Sequence, residues 1–167
     1  MSYEAEKNII GALFIDIANM DTIHGMLQAE MFRDELLGRM YLEFQRGYDN
    51  GYPVTPTVIL QKLSDSSFPE GAIAEVIKAC VVDTVTGAAV RGDARVIVND
   101  FKAARFGAIL GALKISPDKV EEQIGTLVAD LEALKGNRTR TSKTLREIVR
   151  ENKTKYFTDN RAAGIYL

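Results

Sequence analysis

The sequence has few of the residues that build metal centres, disulfides or membrane spans. Cys80 is its only cysteine and His24 its only histidine, so an internal disulfide is excluded and a zinc site would need more ligands than the chain owns. No apolar run approaches the ~20 residues of a membrane helix. The polar N-terminal stretch MSYEAEKN lacks the layout of a signal peptide. We therefore expect a cytoplasmic chain.

Motifs for catalysis or cofactor binding are also missing. The chain has no GxxxxGK[ST] loop for phosphates and no DxDxDG loop for calcium. Its acidic residues are spread along helix faces, which leaves an unrecognised carboxylate site as the weakest alternative. Cys80 fits a small buried apolar residue, and His24 fits a position at the surface or at a helix end. We expect this chain alone to be no enzyme and to bind no cofactor.

What the chain does have is an uneven distribution of charge. Residues 136–167 carry 8 Lys/Arg and 3 Asp/Glu, a net charge of +5, whereas residues 1–135 carry a net charge of −7. An acidic body with a basic tail argues against broad non-specific DNA binding by the body, because phosphates would be repelled.

Helical periodicity is clear from the first residues onward. The segment YEAEKNIIGALFID, residues 3–16, predicts a helix with Glu4 and Glu6 near the positive end of its dipole. Gly11 in the interior of this helix indicates close packing against a neighbouring element.

Later helices carry start and stop signals. A helix over residues 34–49 ends at Gly51, and Thr55 with Pro56 opens the next one. Residues 70–82 form a further helical pattern. No segment shows convincing strand alternation, so the predicted fold is all-α.

The last part of the body predicts an antiparallel helical hairpin. One long helical pattern without proline runs from Gly87 to Lys114, about 40 Å in length. Ser116 as cap and Pro117 at the first helical position then start a second helix. Both helices carry apolar stripes with alternating steps of four and three residues.

The resulting architecture is a compact helical head, a long antiparallel hairpin and a C-terminal linker helix. The predicted boundaries are 1–86 for the head, 87–135 for the hairpin of the same domain, and 136–167 for the linker.

The apolar stripes of the hairpin can serve only its internal seam, or they can also meet a second hairpin in a dimer. The apolar residues of the hairpin that lie outside these stripes favour the dimer, because a two-helix unit would leave them in water. The predicted interface residues are Val98, Phe101, Arg105, Phe106, Ile109, Leu113, Ile124, Leu127 and Leu131.

The basic tail predicts an amphipathic helix over about residues 142–158. Its cations suit phosphates, but Glu147 and Glu151 lie among them and the apolar stripe is contiguous. Docking into a groove of another protein is therefore favoured over nucleic-acid binding or packing on the chain's own body. The predicted docking residues are Leu145, Ile148, Val149, Tyr156 and Phe157.

An ordered series of segments resembles one known family. EAEKNIIGALFID is similar to the opening of the N-terminal domain of DnaB-type replicative DNA helicases, and EMFRDELLGRMYLEFQRGYDNGYPVTPTVILQKL is similar to its third and fourth helices. TVTGAAVRGDARVIVNDFKAARF resembles the stretch leading into the family's long hairpin helix. TSKTLREIVRENKTKYFTDNRAAGIYL resembles the linker helix before the ATPase motor. RDELLGRMY lacks the family's Pro-His pair and DARVIVND lacks its Tyr and Arg-Glu, which suggests a divergent, phage-related branch.

The resemblance implies a role in DNA replication. In the family this domain forms the collar of a hexameric ring, assembled as a trimer of dimers, and it binds primase and the helicase loader. The motor, with its ATP and Mg²⁺, is expected to follow the linker and to be missing from this chain. Binding of single-stranded DNA by the chain itself is expected to be weak or none. The alternative is a stand-alone helical binding protein, such as a helicase loader, an inhibitor or a helicase-binding domain like that of primase.

Overall fold

The computed structural model of the chain describes residues 2–65, 67–84 and 87–136. These residues form seven α-helices and no strand, which confirms the all-α prediction. The helices are α1 (Ser2–Ile15), α2 (Met20–Ile23), α3 (Glu35–Asn50), α4 (Pro56–Leu63), α5 (Glu70–Asp83), α6 (Val90–Ala112) and α7 (Val120–Gly136). Short 3₁₀ turns lie at Ile17–Asn19, Ala29–Met31, Gly87–Ala89 and Pro117–Lys119. The chain divides into two units, of which the first ends at Ala104 and the second begins at Arg105.

The apolar core of the first unit joins the inner faces of α1 to α5 and the start of α6. On α3, four side chains at helical spacing are buried, whereas Tyr48 near its C-terminal end is partly exposed; the four are Leu37, Met40, Tyr41 and Phe44. Each large aliphatic or aromatic side chain buried in this way stabilises the fold by about 1.5–3 kcal/mol. The largest fully buried side chains are Ile9, Ile10, Leu13, Met20, Ile23, Leu27, Leu37, Met40, Tyr41, Phe44, Ile59 and Ile73.

The helix ends follow the signals in the sequence. Asp34 Oδ1 accepts a hydrogen bond from the backbone N–H of Leu37 at 3.0 Å, and Thr55 Oγ1 accepts one from that of Val58 at 3.3 Å. Both bonds satisfy N–H groups that have no partner within their own helix. Gly51 ends α3 with a φ of 73°, a left-handed conformation that glycine adopts without a steric penalty.

Gly11 lies where α1 packs closely against the end of α5. A Cβ on Gly11 would overlap the carbonyl oxygen of Cys80 and Oγ1 of Thr84. The hydroxyl of Thr84 donates to that same carbonyl oxygen at 2.7 Å. Close packing at this glycine, which the sequence predicted, is therefore confirmed.

Glu6 links α1 to the start of α3. Its side chain is fully buried, and its two carboxylate oxygens accept hydrogen bonds from the backbone N–H groups of Arg33 at 2.8 Å and Asp34 at 3.2 Å. Burial raises the pKa of Glu6 above its ordinary value, although the two N–H groups act in the opposite direction. The sequence placed Glu6 only in the field of the helix dipole, because its partners lie 27 and 28 residues further along the chain.

Cys80 is fully buried on α5, as the sequence predicted, and burial raises the pKa of its thiol to about 12. Since the thiolate is the reactive form, we expect a thiol reagent at pH 8 to label the native protein on the order of 1,000-fold more slowly than the urea-unfolded protein. The rate is measured from the absorbance of the coloured thiolate that a chromogenic disulfide reagent releases, with the unfolded chain as control. Rapid, complete labelling in native buffer would contradict this burial.

His24 lies at the C-terminal end of α2, as predicted, and is half-buried. Its Nε2 is 2.9 Å from Oδ1 of Asp49 on α3. The same ring lies 5.3 Å from the ring of Tyr48, measured between centroids. The residue thus ties α2 to the last turn of α3.

Candidate interaction surface

A short turn joins α6 to α7, and one side chain spans it. Gln123 Oε1 accepts a hydrogen bond from the backbone N–H of Ser116 at 2.9 Å, and Gln123 Nε2 donates to the carbonyl of Lys114. Pro117 opens the 3₁₀ turn that leads into α7. Ser116 lies at the predicted cap position, but its hydroxyl donates to the carboxylate of Asp118 and makes no capping bond to the backbone. The turn is therefore held by Gln123.

The helix pair leaves much of its apolar surface in contact with solvent. The buried residues of α6 end at Ile97, and α7, which the structure describes in full, buries none of its residues. From Phe106 onward, six large apolar side chains are between 40% and 78% exposed, and we call them the apolar face: Phe106, Leu110, Ile115, Val120, Ile124 and Val128. Exposed apolar surface of this extent is typical of sites that bind another molecule.

The nine residues predicted for the hairpin interface fall into two groups. Arg105, Phe106 and Ile124 are exposed. The others are half-buried: Val98, Phe101, Ile109, Leu113, Leu127 and Leu131. Val98 and Phe101 pack against the core of the first unit. For the other residues, half-burial suits the internal seam and exposure suits a second copy, so each alternative is supported by some of them. The assignment of the interface remains a prediction.

Four members of the apolar face were missing from the predicted set: Leu110, Ile115, Val120 and Val128. Val128 follows Ile124 by four residues and Val120 by eight, so helical spacing puts all three on one face and was a usable signal. Ile115 is 78% exposed and lies in the turn before α7, where no helical period could reveal it.

The predicted linker-helix docking residues are Leu145, Ile148, Val149, Tyr156 and Phe157, and they lie outside the described residues. Their docking therefore stays a prediction.

Metal clusters and membrane spans are both absent from the part of the chain that the structure describes. No three or more His, Cys, Asp or Glu side chains there are grouped so that they could hold a metal ion. No helix within the same ranges is both long enough and apolar enough to cross a membrane.

The segment that carries the core also carries the family match. The family described as DnaB-like helicase N terminal domain matches residues 1–99, which contain α1 to α5 and the first ten residues of α6. The chain belongs to this family. No curated protein is significantly similar to the chain. The apolar face of this DnaB-like domain begins after the matched residues, at Phe106.

The segment EAEKNIIGALFID of the DnaB-like domain now has a physical explanation. Lys7 forms an ion pair with Glu4 at 3.1 Å. The same ammonium forms a second ion pair with Asp83 of α5 at 3.0 Å. Glu6 accepts a backbone hydrogen bond just before the start of α3, and the lack of a side chain at Gly11 lets the end of α5 pack against α1. The opening helix therefore organises contacts with two other helices of the head.

Proposed function

We propose that this chain is the N-terminal collar domain of a hexameric replicative DNA helicase. In this role it joins subunits to one another and binds primase and the helicase loader during DNA replication in the cytoplasm. A motor domain connected to it would bind ATP, Mg²⁺ and single-stranded DNA. The observation that carries the proposal is the apolar face of the helix pair, in a chain whose head belongs to a helicase family.

The size of the exposed side chains supports self-association. Burial of a large apolar side chain contributes about 1.5–3 kcal/mol, and a two-fold contact buries each residue of the apolar face twice. Association costs about 4–15 kcal/mol in lost freedom of motion, so a few such side chains per copy are enough to offset it. Four helices packed together bury faces that two helices leave in water.

Light scattering after size exclusion, from low to high micromolar protein, tests the proposal. We expect a dimer that grows towards a hexamer as the concentration rises. Replacing Phe106 and Ile124 together by glutamate should raise the dissociation constant at least about 100-fold, because charges would enter the buried contact. The fold should persist in circular dichroism, since both side chains are exposed in the single chain.

Val81→Glu with Val82→Glu is the matched control, because it also adds two glutamates. Val81 and Val82 are 39% and 71% exposed on α5 and lie outside the helix pair, so their replacement should leave association unchanged. Equal loss of association in both variants would show that added charge alone is responsible. A monomer at every concentration would contradict self-association and favour the stand-alone helical binding protein.

A further inference from the structure

The first half of α6 separates its charges onto two faces. Arg91, Arg95 and Lys102 are spaced by four and seven residues, which places them in one narrow sector of the helix. Asp93 and Asp100 lie on the opposite side by the same count. We call Arg91, Arg95 and Lys102 the basic face of α6.

The basic face has no anion to neutralise it within the described residues. Arg91 and Arg95 are exposed and Lys102 is half-buried, and none has a carboxylate within 4.0 Å in the described ranges. Among the other cations of the head, Lys7, Arg39, Arg46 and Lys62 form ion pairs. Arg33 and Lys78, which do not lie together on one helix face, form none with a described residue. The basic face is therefore free to contact a separate molecule.

α7 carries a face of the opposite sign. Glu121 and Glu132 are eleven residues apart and lie beside Val128 of the apolar face, seven and four residues away from it. Glu121 is exposed and Glu132 is half-buried, and neither forms an ion pair with a described residue. We call Glu121 and Glu132 the acidic face of α7.

The two faces have the same length. Arg91 and Lys102 are also eleven residues apart, so each face spans about 16.5 Å at a rise of about 1.5 Å per residue. Laid side by side, the outer cations of one helix and the two carboxylates of the other would fall opposite one another. The chain thus carries two surfaces of equal span and opposite charge.

We propose that the basic face of α6 in one copy pairs with the acidic face of α7 in a second copy. This inference rests on the self-association proposed above and adds the charges that set its register and orientation. In a two-fold dimer the contact occurs twice, once for each α6. Charge pairs at the rim of an interface select the partner and its register more than they add affinity.

A second copy fits the basic face better than a nucleic acid does. Residues 1–135 have a net charge of −7, which repels a polyphosphate chain that would have to run past the basic face. The acidic face, by contrast, matches the basic face in span and lies next to an apolar residue that association would bury.

Charge reversal in the full chain tests the proposal. The first variant carries Arg91→Glu and Arg95→Glu, and the second carries Glu121→Lys and Glu132→Lys. Each variant alone should dissociate at a concentration at least about tenfold above that of the unaltered chain, because like charges then face each other. An equimolar mixture should recover association to within about threefold, because both contacts of the mixed dimer join opposite charges. Sedimentation velocity at low salt, with one variant fluorescently labelled, measures both quantities.

Arg33→Glu with Lys78→Glu is the matched control, since it makes the same change in net charge at exposed positions outside both faces. It should associate like the unaltered chain. Normal association of both reversed variants, or a mixture that fails to recover, would overturn the charge pairing and leave self-association standing. A monomeric unaltered chain would instead overturn self-association itself. Binding of labelled single-stranded DNA that the first variant loses, with association unchanged, would assign the basic face to nucleic acid and overturn the pairing.

Discussion

Replacing Gly11 by alanine is expected to lower the free energy of unfolding by about 3 kcal/mol. The added Cβ would overlap the backbone carbonyl of Cys80 and Oγ1 of Thr84, and it would lie 2.8 Å from Cβ of Thr84. A backbone carbonyl cannot move aside as the end of a flexible side chain can, so α1 and α5 must separate. Urea unfolding followed by circular dichroism measures the loss.

Gly92→Ala is the control for this substitution. Gly92 lies inside α6, and no atom is within 4 Å of a Cβ built on it. The alanine should therefore stabilise the protein by about 0.5–1 kcal/mol, because it restricts the unfolded chain and favours the helix. Equal changes in the free energy of unfolding for the two substitutions would contradict close packing at Gly11. They would show that the two alanines differ from glycine only in helix propensity.

The helices of the head were predictable because their signals are local. Asp34, Thr55 and Gly51 act within three or four residues of the helix ends that they define. Gly11 in α1 predicted close packing for a similarly local reason. A glycine inside a helix lowers the stability of the helix, so its presence there needs a steric explanation. Its partner, Thr84, could not be named, because nothing local records a contact made 73 residues away.

The helix pair shows where periodicity stops being informative. A stripe with steps of four and three residues says which side of a helix is apolar, but not what covers that side. Leu127 is half-buried and Ile124 is exposed, although both belong to the predicted stripe of α7. The difference depends on how the two helices meet, and a sequence pattern does not contain that information.

Truncating Glu6 to alanine is expected to cost about 3 kcal/mol of stability. The substitution removes a buried carboxylate that accepts two backbone hydrogen bonds, and bonds to charged acceptors contribute about 1.5–3 kcal/mol each before the cavity is counted. Glu4→Ala is the matched control on the same helix. It removes an exposed carboxylate paired with Lys7 and should cost less than about 1 kcal/mol. Chemical unfolding of the two variants gives the comparison, and similar losses would show that Glu6 does not link α1 to α3.

The pH dependence of stability distinguishes the effect of burial on Glu6 from the effect of its hydrogen bonds. Because burial raises its pKa in the folded state above 4.5, the native protein holds this proton more tightly than the unfolded chain does. The resulting stabilisation is fully present below pH 4.5 and is lost as the pH rises through the raised pKa. Glu6→Gln cannot titrate, so the stability of the unaltered protein relative to this variant should fall as the pH rises above about 4.5 and then level off. A relative stability that rises over the same range would mean that the N–H groups of Arg33 and Asp34 outweigh desolvation at this carboxylate.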